Sequence, residues 1–226
     1  IINQPEIGYL GFITKEFNNI LYFLMQAKIE PGNVNNVQLS PTLQATRSNY
    51  TQVHKGKVPR YLEYFKERKR CAILLDQLQS EQGARFLHKR NRNIIVQTDE
   101  TIDVHEDFVW LTLGQIKKLI QKDNLVNMDT RTVISGIPFG NFSSEIIDFF
   151  RTLVIDQSNT LGFDMLDSAL KKNSSLCSND EIIAWFTELK CKYDLLIEKI
   201  PLVDVSDWVF TEYEIKHKED RFFKVI

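Results

Sequence analysis

Gln38-Leu39-Ser40-Pro41-Thr42-Leu43-Gln44-Ala45-Thr46-Arg47-Ser48-Asn49-Tyr50 alternates with period two. One set, Gln38, Ser40, Thr42, Gln44, Thr46, Ser48 and Tyr50, can hydrogen-bond throughout. The other, Leu39, Pro41, Leu43, Ala45, Arg47 and Asn49, is apolar until its last two members. Successive strand side chains point to opposite faces, so the pattern predicts an extended segment with one greasy face and one row of neutral donors and acceptors. A solvated strand face normally carries Lys and Glu. Amides and hydroxyls in their place suit a polar, uncharged object such as a sugar or a base; an exposed Thr/Gln-rich strand has the same pattern.

Upstream, Ile7–Ile13 and Ile20–Glu30 read as a hairpin pair across Asn18-Asn19, and Pro31-Gly32-Asn33 forces a second turn. In the second strand Phe23, Met25, Ala27 and Ile29 share one face, leaving Leu24, Gln26, Lys28 and Glu30 on the other. Downstream comes a short helix after Pro59, with Tyr61, Leu62 and Phe65 at helical spacing and Lys66–Arg70 closing it. Cys71–Leu78 is largely apolar and reads as an inner strand, Phe86–Gln97 as another. Gly114–Gln121 reads as a helix with Ile116, Leu119 and Ile120 on one side.

From residue 143 the pattern turns helical, with Ile146, Phe149, Phe150 and Leu153 in one stripe. A last helix opens on a capping box, Ser178 with Glu181, and runs Ile182, Phe186, Leu189, Tyr193 and Leu196 along an inner face. Residues 206–226 return to a β pattern: Trp208, Phe210, Ile215, a Lys218-Glu219-Asp220 turn, and Phe222. The predicted class is α+β, with a β-rich module over 1–136, a helical connector over 137–205 and the opening strands of a second β module over 206–226. Both ends read as cuts through secondary structure, so the chain is expected to be part of something longer.

Composition narrows the partners. Apolar residues make up 43% and charged residues 26% of 226, ordinary for a globular protein. A net charge of -2 provides no basic field for a polyanion, and no aromatic-basic platform suits nucleic acid. A ligand with one or two phosphates needs only a local cluster. Cys71, Cys177 and Cys191 lie far apart without a C-x-x-C pair, which argues against a zinc site or a disulfide framework and suits a reduced, cytoplasmic setting. No apolar run approaches the ~18 residues of a membrane span. Glycine-rich dinucleotide and phosphate loops, a Gly-x-Ser-x-Gly elbow and a His-rich metal set are all missing, so any chemistry is expected to run on side chains, without a metal or cofactor.

Three constellations stand beside the polar strand. Lys28 and Glu30 project to one face about 7 Å apart, two strand residues, as a pair for proton transfer and charge stabilisation or as a plain surface salt bridge. Gln79-Ser80-Glu81-Gln82-Gly83 closes an apolar strand, where sites concentrate, and a partly desolvated Glu81 can act as acid or base. His88-Lys89-Arg90-Asn91-Arg92-Asn93 suits a diphosphate, because Arg presents a fork matching phosphate oxygens; a solvated hairpin tip has the same composition. His54 is a potential shuttle or simply structural. Asn127, Asp129 and Arg131 alternate as another polar strand face or loop aimed at the same place.

The motifs Gln4-Pro5-Glu6-Ile7-Gly8, Gln26-Ala27-Lys28 with Glu30-Pro31-Gly32-Asn33, and Gln38–Tyr50 follow one another in the order of the NDP-hexose 2,3-dehydratases, which the chain resembles. So do Gln79–Gly83, Lys89–Asn93, Trp110-Leu111-Thr112-Leu113-Gly114-Gln115 and Asn127-Met128-Asp129. The resemblance is dense over 1 to about 136 and weaker over 206–226, where Trp208, His217 and Phe222-Phe223 look like the opening of a second repeat. It implies tandem repeats, each a Nudix-like mixed β-sheet module with flanking helices but no metal-binding Nudix box, assembled as homodimers. It also implies removal of water across C2 and C3 of a dTDP-linked 4-keto-6-deoxy sugar, without an organic cofactor, during deoxysugar biosynthesis.

Such a reaction needs a base at C3, a donor to the C4 oxygen and an acid for the leaving hydroxyl. Glu30 or Glu81 is the expected base, with Lys28 or Tyr50 as donor to the oxyanion or leaving group. Gln26, Gln38, Thr42, Gln44, Asn49 and Asn127 are expected to hold the sugar and thymine, and Arg47, Lys89, Arg90 and Arg92 to neutralise the diphosphate. A repeat that binds the nucleotide sugar and forms the dimer without catalysis is the alternative.

Overall fold

The computed structural model describes residues 2–51, 57–67, 71–137, 168–169, 171, 175–192, 200–221 and 223–226. His54, the stripe from Ile146 to Leu153, the helical positions Tyr193 and Leu196, and Phe222 lie outside them. The expected hairpin forms between β2 (Gly8–Phe17) and β3 (Ile20–Ile29), preceded by a two-residue β1 (Ile2–Asn3). Asn18 and Asn19 both take positive φ, 51° and 61°, the conformation of a two-residue turn whose twist matches the strands it joins.

The polar comb is extended only in part. It runs as β4 (Val37–Pro41) and β5 (Leu43–Ala45), then Thr46 starts a one-turn helix α1 (Arg47–Tyr50). β4 pairs with β3, and β5 with β2, so the segment changes partner at Thr42. There the buried Thr42 hydroxyl accepts from the Ile13 N–H (3.0 Å) and donates to the Leu24 carbonyl, completing both ladders across the gap. Ser40, also fully buried, donates to the Gln26 and Pro41 carbonyls. The hydroxyls of Ser40 and Thr42 are therefore spent on internal ties, although Thr42 also borders a hollow described below. Ser48 and Tyr50 leave the comb because the Glu6 carboxylate accepts the Ser48 N–H (3.2 Å) and anchors the first turn of α1.

A short α2 (Leu62–Lys66) leads to β6 (Ala72–Ser80), β7 (Arg90–Gln97), β8 (Phe108–Thr112), α3 (Leu113–Ile120), α4 (Met128–Ile134) and, later, α5 (Asn179–Lys192). β2 to β8 form one seven-stranded mixed sheet, its main path running β4-β3-β2-β7-β6, with β5 added on β2 and β8 on β3. β2 and β7 are parallel; the other pairs are antiparallel. The residue 71–78 run is thus an edge strand, mostly exposed, and not an inner one. A register shift between Ile73 and Leu75 keeps Leu74 and Leu75 against the core while Ile73 and Leu78 face solvent, a common device on sheet edges.

Hydrophobic layers cover both faces. Phe12, Phe23, Met25 and Ile95 meet Ile116 and Leu119 of α3, Val133 and Ile134 of α4, and Ile182, Phe186 and Leu189 of α5. Ile13, Leu24, Ile94 and Val96 meet Leu62, Tyr64 and Phe65 of α2. Each large side chain so buried contributes about 1.5–3 kcal/mol. α3 carries a full capping box, Thr112 with Gln115. The expected box before α5 forms as well, Ser178 with Glu181.

A second, four-stranded sheet joins β1 to β11 (Lys224–Val225), β10 (Ile215–His217) and β9 (Trp208–Phe210). Ile2 pairs with Val225 and also bonds the backbone of Arg85 and Leu87. Through β1 the C-terminal β segment is tied to the body. Among the described residues no helix is long and apolar enough to cross a membrane.

Candidate functional site

The topology brings one set of strand ends together. β2 and β7 start where β3, β5 and β6 finish, and α4 begins beside them, its N-cap Asn127 bonded to the Leu39 backbone. A cavity of about 240 Å³ opens there, lined by Gln4, Gly8, Leu10, Lys28, Glu30, Gln44, Thr46, Asn49, Glu81, Lys89, Asn91 and Asp129 among others. Two hollows adjoin it. One, about 270 Å³, shares Lys28, Gln44 and Asn49 and adds Gln26, Thr42, Lys57, Arg60 and Phe108. The other, about 190 Å³, shares Leu10, Glu81, Asn91 and Asp129 and adds the amides of Gln79, Gln82 and Asn93.

Four of the five charged groups lining the cavity, Lys28, Glu30, Glu81 and Lys89, are held by hydrogen bonds. Lys28 donates to the Gln44 carbonyl (3.0 Å) and lies 3.7 Å from Glu30. The Gln44 amide is fixed at both ends: its nitrogen donates to Glu30 Oε1 (3.0 Å) and its oxygen accepts from Asn127 (2.9 Å). Asn127 Oδ1 meanwhile accepts the Thr130 N–H and caps α4. Glu81 accepts from Asn91 (2.6 Å) and from the Gln82 N–H (3.3 Å). Gly8 gives Asn91 its place, since a Cβ there would stand 2.8 Å from Asn91 Oδ1.

Burial depresses the Lys28 ammonium, opposed by Glu30 and Asp129. Lys89, buried and donating to the Glu6 carbonyl (2.9 Å), is likewise lowered by burial. Asp129 moves the other way, to about 6, because of burial first and then Glu81 and Glu30. Its seat in the first turn of α4 favours an anion by only about 0.3–1 kcal/mol, too little to reverse those causes.

The expected site residues fall into two groups. Lys28, Glu30, Gln44, Asn49, Glu81 and Lys89 meet at the central cavity; Gln26 and Thr42 line the adjoining hollow, Gln26 donating to Asp107 (2.8 Å). Asn127 supports the cavity from behind through Gln44, and Gln38 lines none of these hollows.

Of the four expected diphosphate cations, Arg47, Arg90 and Arg92 share one hollow, while Lys89 lies in the central cavity. Strand alternation in β7 sends Asn91 to the central cavity and Arg90 and Arg92 to another hollow of about 740 Å³, with Arg47, Tyr9 and Tyr50. In that hollow Arg92 is forked onto Asp76 and lies over the Tyr9 ring at 5.9 Å. Tyr9 packs edge-on against Tyr50 at 5.6 Å. Tyr50 lines that hollow and not the central cavity, where Lys28 stands with Glu30 and Glu81. The largest of these hollows is not the one that brings Lys28 to Glu30 and Glu81.

Asp129 reaches the cavity, as its place in the sequence led one to expect, but from a helix. Asn127 is an N-cap and Asp129 sits in a helix, where the sequence suggested a polar strand or loop. An Asn two residues ahead of an acidic residue, leading into Val133-Ile134, is itself a helix-start signal. Lys57 and Arg60, which follow the comb and border the adjoining hollow, carry no such signal in the sequence. Among the described residues no group of three or more His, Cys, Asp or Glu is arranged to hold a metal ion.

Fold and cavity together define a mixed α+β module whose converging strand ends present ammonium and carboxylate groups to a common cavity. The chain belongs to the NDP-hexose 2,3-dehydratase family, whose profile matches residues 1–137 and 179–226. It is 48% identical over its whole length to a dTDP-4-dehydro-6-deoxy-alpha-D-glucopyranose 2,3-dehydratase of Saccharopolyspora spinosa. It is 40% identical to enzymes of the same name from Amycolatopsis orientalis and Streptomyces violaceoruber. It spans 45%, 42% and 47% of these three relatives, less than half of each.

Proposed function

We propose that this chain forms the sugar-handling repeat of a dTDP-4-keto-6-deoxyglucose 2,3-dehydratase. The observation that carries the reading is one cavity in which Glu30 and Glu81, each held by a side-chain amide, face the Lys28 ammonium. The C3 hydrogen of a 4-keto sugar is acidified by the neighbouring carbonyl. Glu30 or Glu81 removes it as general base. Negative charge then develops on the C4 oxygen, where a preorganised donor lowers the barrier. Lys28 spends one N–H on Gln44 and, with three donors, has others for that oxygen. The enolate expels the C2 hydroxyl, and no step requires an organic cofactor or a metal.

The adjoining hollow with Lys57, Arg60 and Phe108 would carry the nucleotide arm, since it shares three lining residues with the sugar cavity. By the same family argument the body is a Nudix-like repeat lacking the metal-binding box, residues 206–226 open a second repeat, and the working unit is a cytoplasmic homodimer. A second reading, a repeat that binds the nucleotide sugar without turning it over, draws on the separate hollow of Arg47, Arg90, Tyr9 and Tyr50.

The test is deuterium exchange at C3 together with elimination, in the protein as its gene encodes it. Glu30→Gln or Glu81→Gln should cut both by at least about a hundredfold, the scale of general base catalysis. Near-normal turnover in both variants places the base elsewhere. Binding of thymidine diphosphate without any exchange in the unmodified protein would favour the second reading.

A further inference from the structure

Three carboxyl groups line the cavity, and their surroundings differ. Glu30 accepts the Gln44 amide, and Glu81 accepts the Asn91 amide and the Gln82 N–H. Asp129, reaching the same cavity from α4, has no hydrogen-bond donor among the described residues. The charged groups around it are Glu30 and Lys28 on the β3 side, Glu81 after β6 and Lys89 before β7. A proton placed on Asp129 therefore displaces no hydrogen bond, whereas one on Glu30 or Glu81 would displace a donor already in place.

We propose that Asp129 is the proton donor to the departing C2 hydroxyl. The assignment rests on the dehydratase reading. Glu30 or Glu81 takes the C3 proton, and the electron pair of that C–H bond becomes the C2=C3 double bond as the C2–O bond breaks. The oxygen leaves with its pair and takes the Asp129 proton as water. Asp129 ends as a carboxylate and is recharged by the proton that the glutamate gained, so the net change is loss of one water. Its upward displacement to about 6 is consistent with the role, and a bound sugar that excludes solvent would raise it further.

The experiment compares the 2-hydroxy substrate with its 2-fluoro analogue, because fluoride departs without a proton. Asp129→Asn should lose elimination of the 2-hydroxy sugar by about a hundredfold or more. It should retain elimination of the 2-fluoro sugar to within about tenfold, and retain C3 exchange. With the unmodified protein, turnover of the 2-hydroxy sugar should fall as pH rises through the Asp129 ionisation while the 2-fluoro sugar shows no such limb. That comparison needs no variant to fold. Equal losses on both sugars, or a shared alkaline limb, overturn the assignment while leaving the dehydratase reading intact. Absence of both exchange and elimination in the unmodified protein would remove that reading, and this one with it.

Discussion

At Asp129 burial and two anionic neighbours act in the same direction, and the consequence is thermodynamic as well as chemical. Its carboxyl holds a proton up to about pH 6 in the folded chain, against 3.8 for the ordinary group. A folded-state value above the unfolded one means that the folded state binds the proton more tightly. The associated stability is complete below about pH 4 and is lost as pH climbs through 6. Above that range the native state carries a charge its surroundings oppose. Asp129→Asn removes the charge, so it should raise stability at pH 7.5 by an amount on the order of 2 kcal/mol and change it little at pH 4. Thermal melting of both proteins at the two pH values checks this; an equal gain at both would show a packing effect instead. Stability given up at one side chain for the sake of its chemistry is a common trade.

One step up, Thr42 shows how an element can serve two ladders. Its hydroxyl stands in for backbone where the segment leaves β3 for β2. Thr42→Val keeps the shape but strands the buried Ile13 N–H and Leu24 carbonyl, a loss of about 1–3 kcal/mol. Thr42→Ser should recover most of it. Urea unfolding of the two variants decides the matter, and equal midpoints would mean that the hydroxyl does no structural work. This feature also marks the limit of the sequence pattern. Period-two alternation correctly showed that residues 38–45 are extended, but faces do not name partners, and the change of partner is a property of the sheet. The β2–β3 hairpin was legible because Asn18-Asn19 encodes its turn locally. β6 was misread because an apolar run does not reveal how many neighbours it has. Of the site, the Lys28, Glu30 and Gln44 grouping was legible from side-chain parity. The split of Lys89 from Arg90 and Arg92 was not, since it depends on where β7 begins.

For the molecule as a whole, protection should follow the sheet order. β2 and β7 have neighbours on both sides and buried side chains from Ile94 to Val96 and from Leu10 to Thr14. β6 has β7 on one side only, and alternate N–H groups of its nine residues point outward. Regions with few buried apolar contacts open at lower free energy than the core, so peptides from Ala72–Ser80 should exchange their amides at least about tenfold faster than those from β2 and β7. Peptides from β9 to β11 should also be fast, because that sheet is short and meets the body through two-residue β1. Hydrogen exchange of the protein as its gene encodes it, followed by mass spectrometry, measures each segment at once. Should β6 prove as protected as β2, its open edge must be covered in the assembled protein. A second copy pairing there along Ile73 and Leu78 would then be the direct physical account, and dilution through the dimer dissociation range should restore fast exchange to β6 alone.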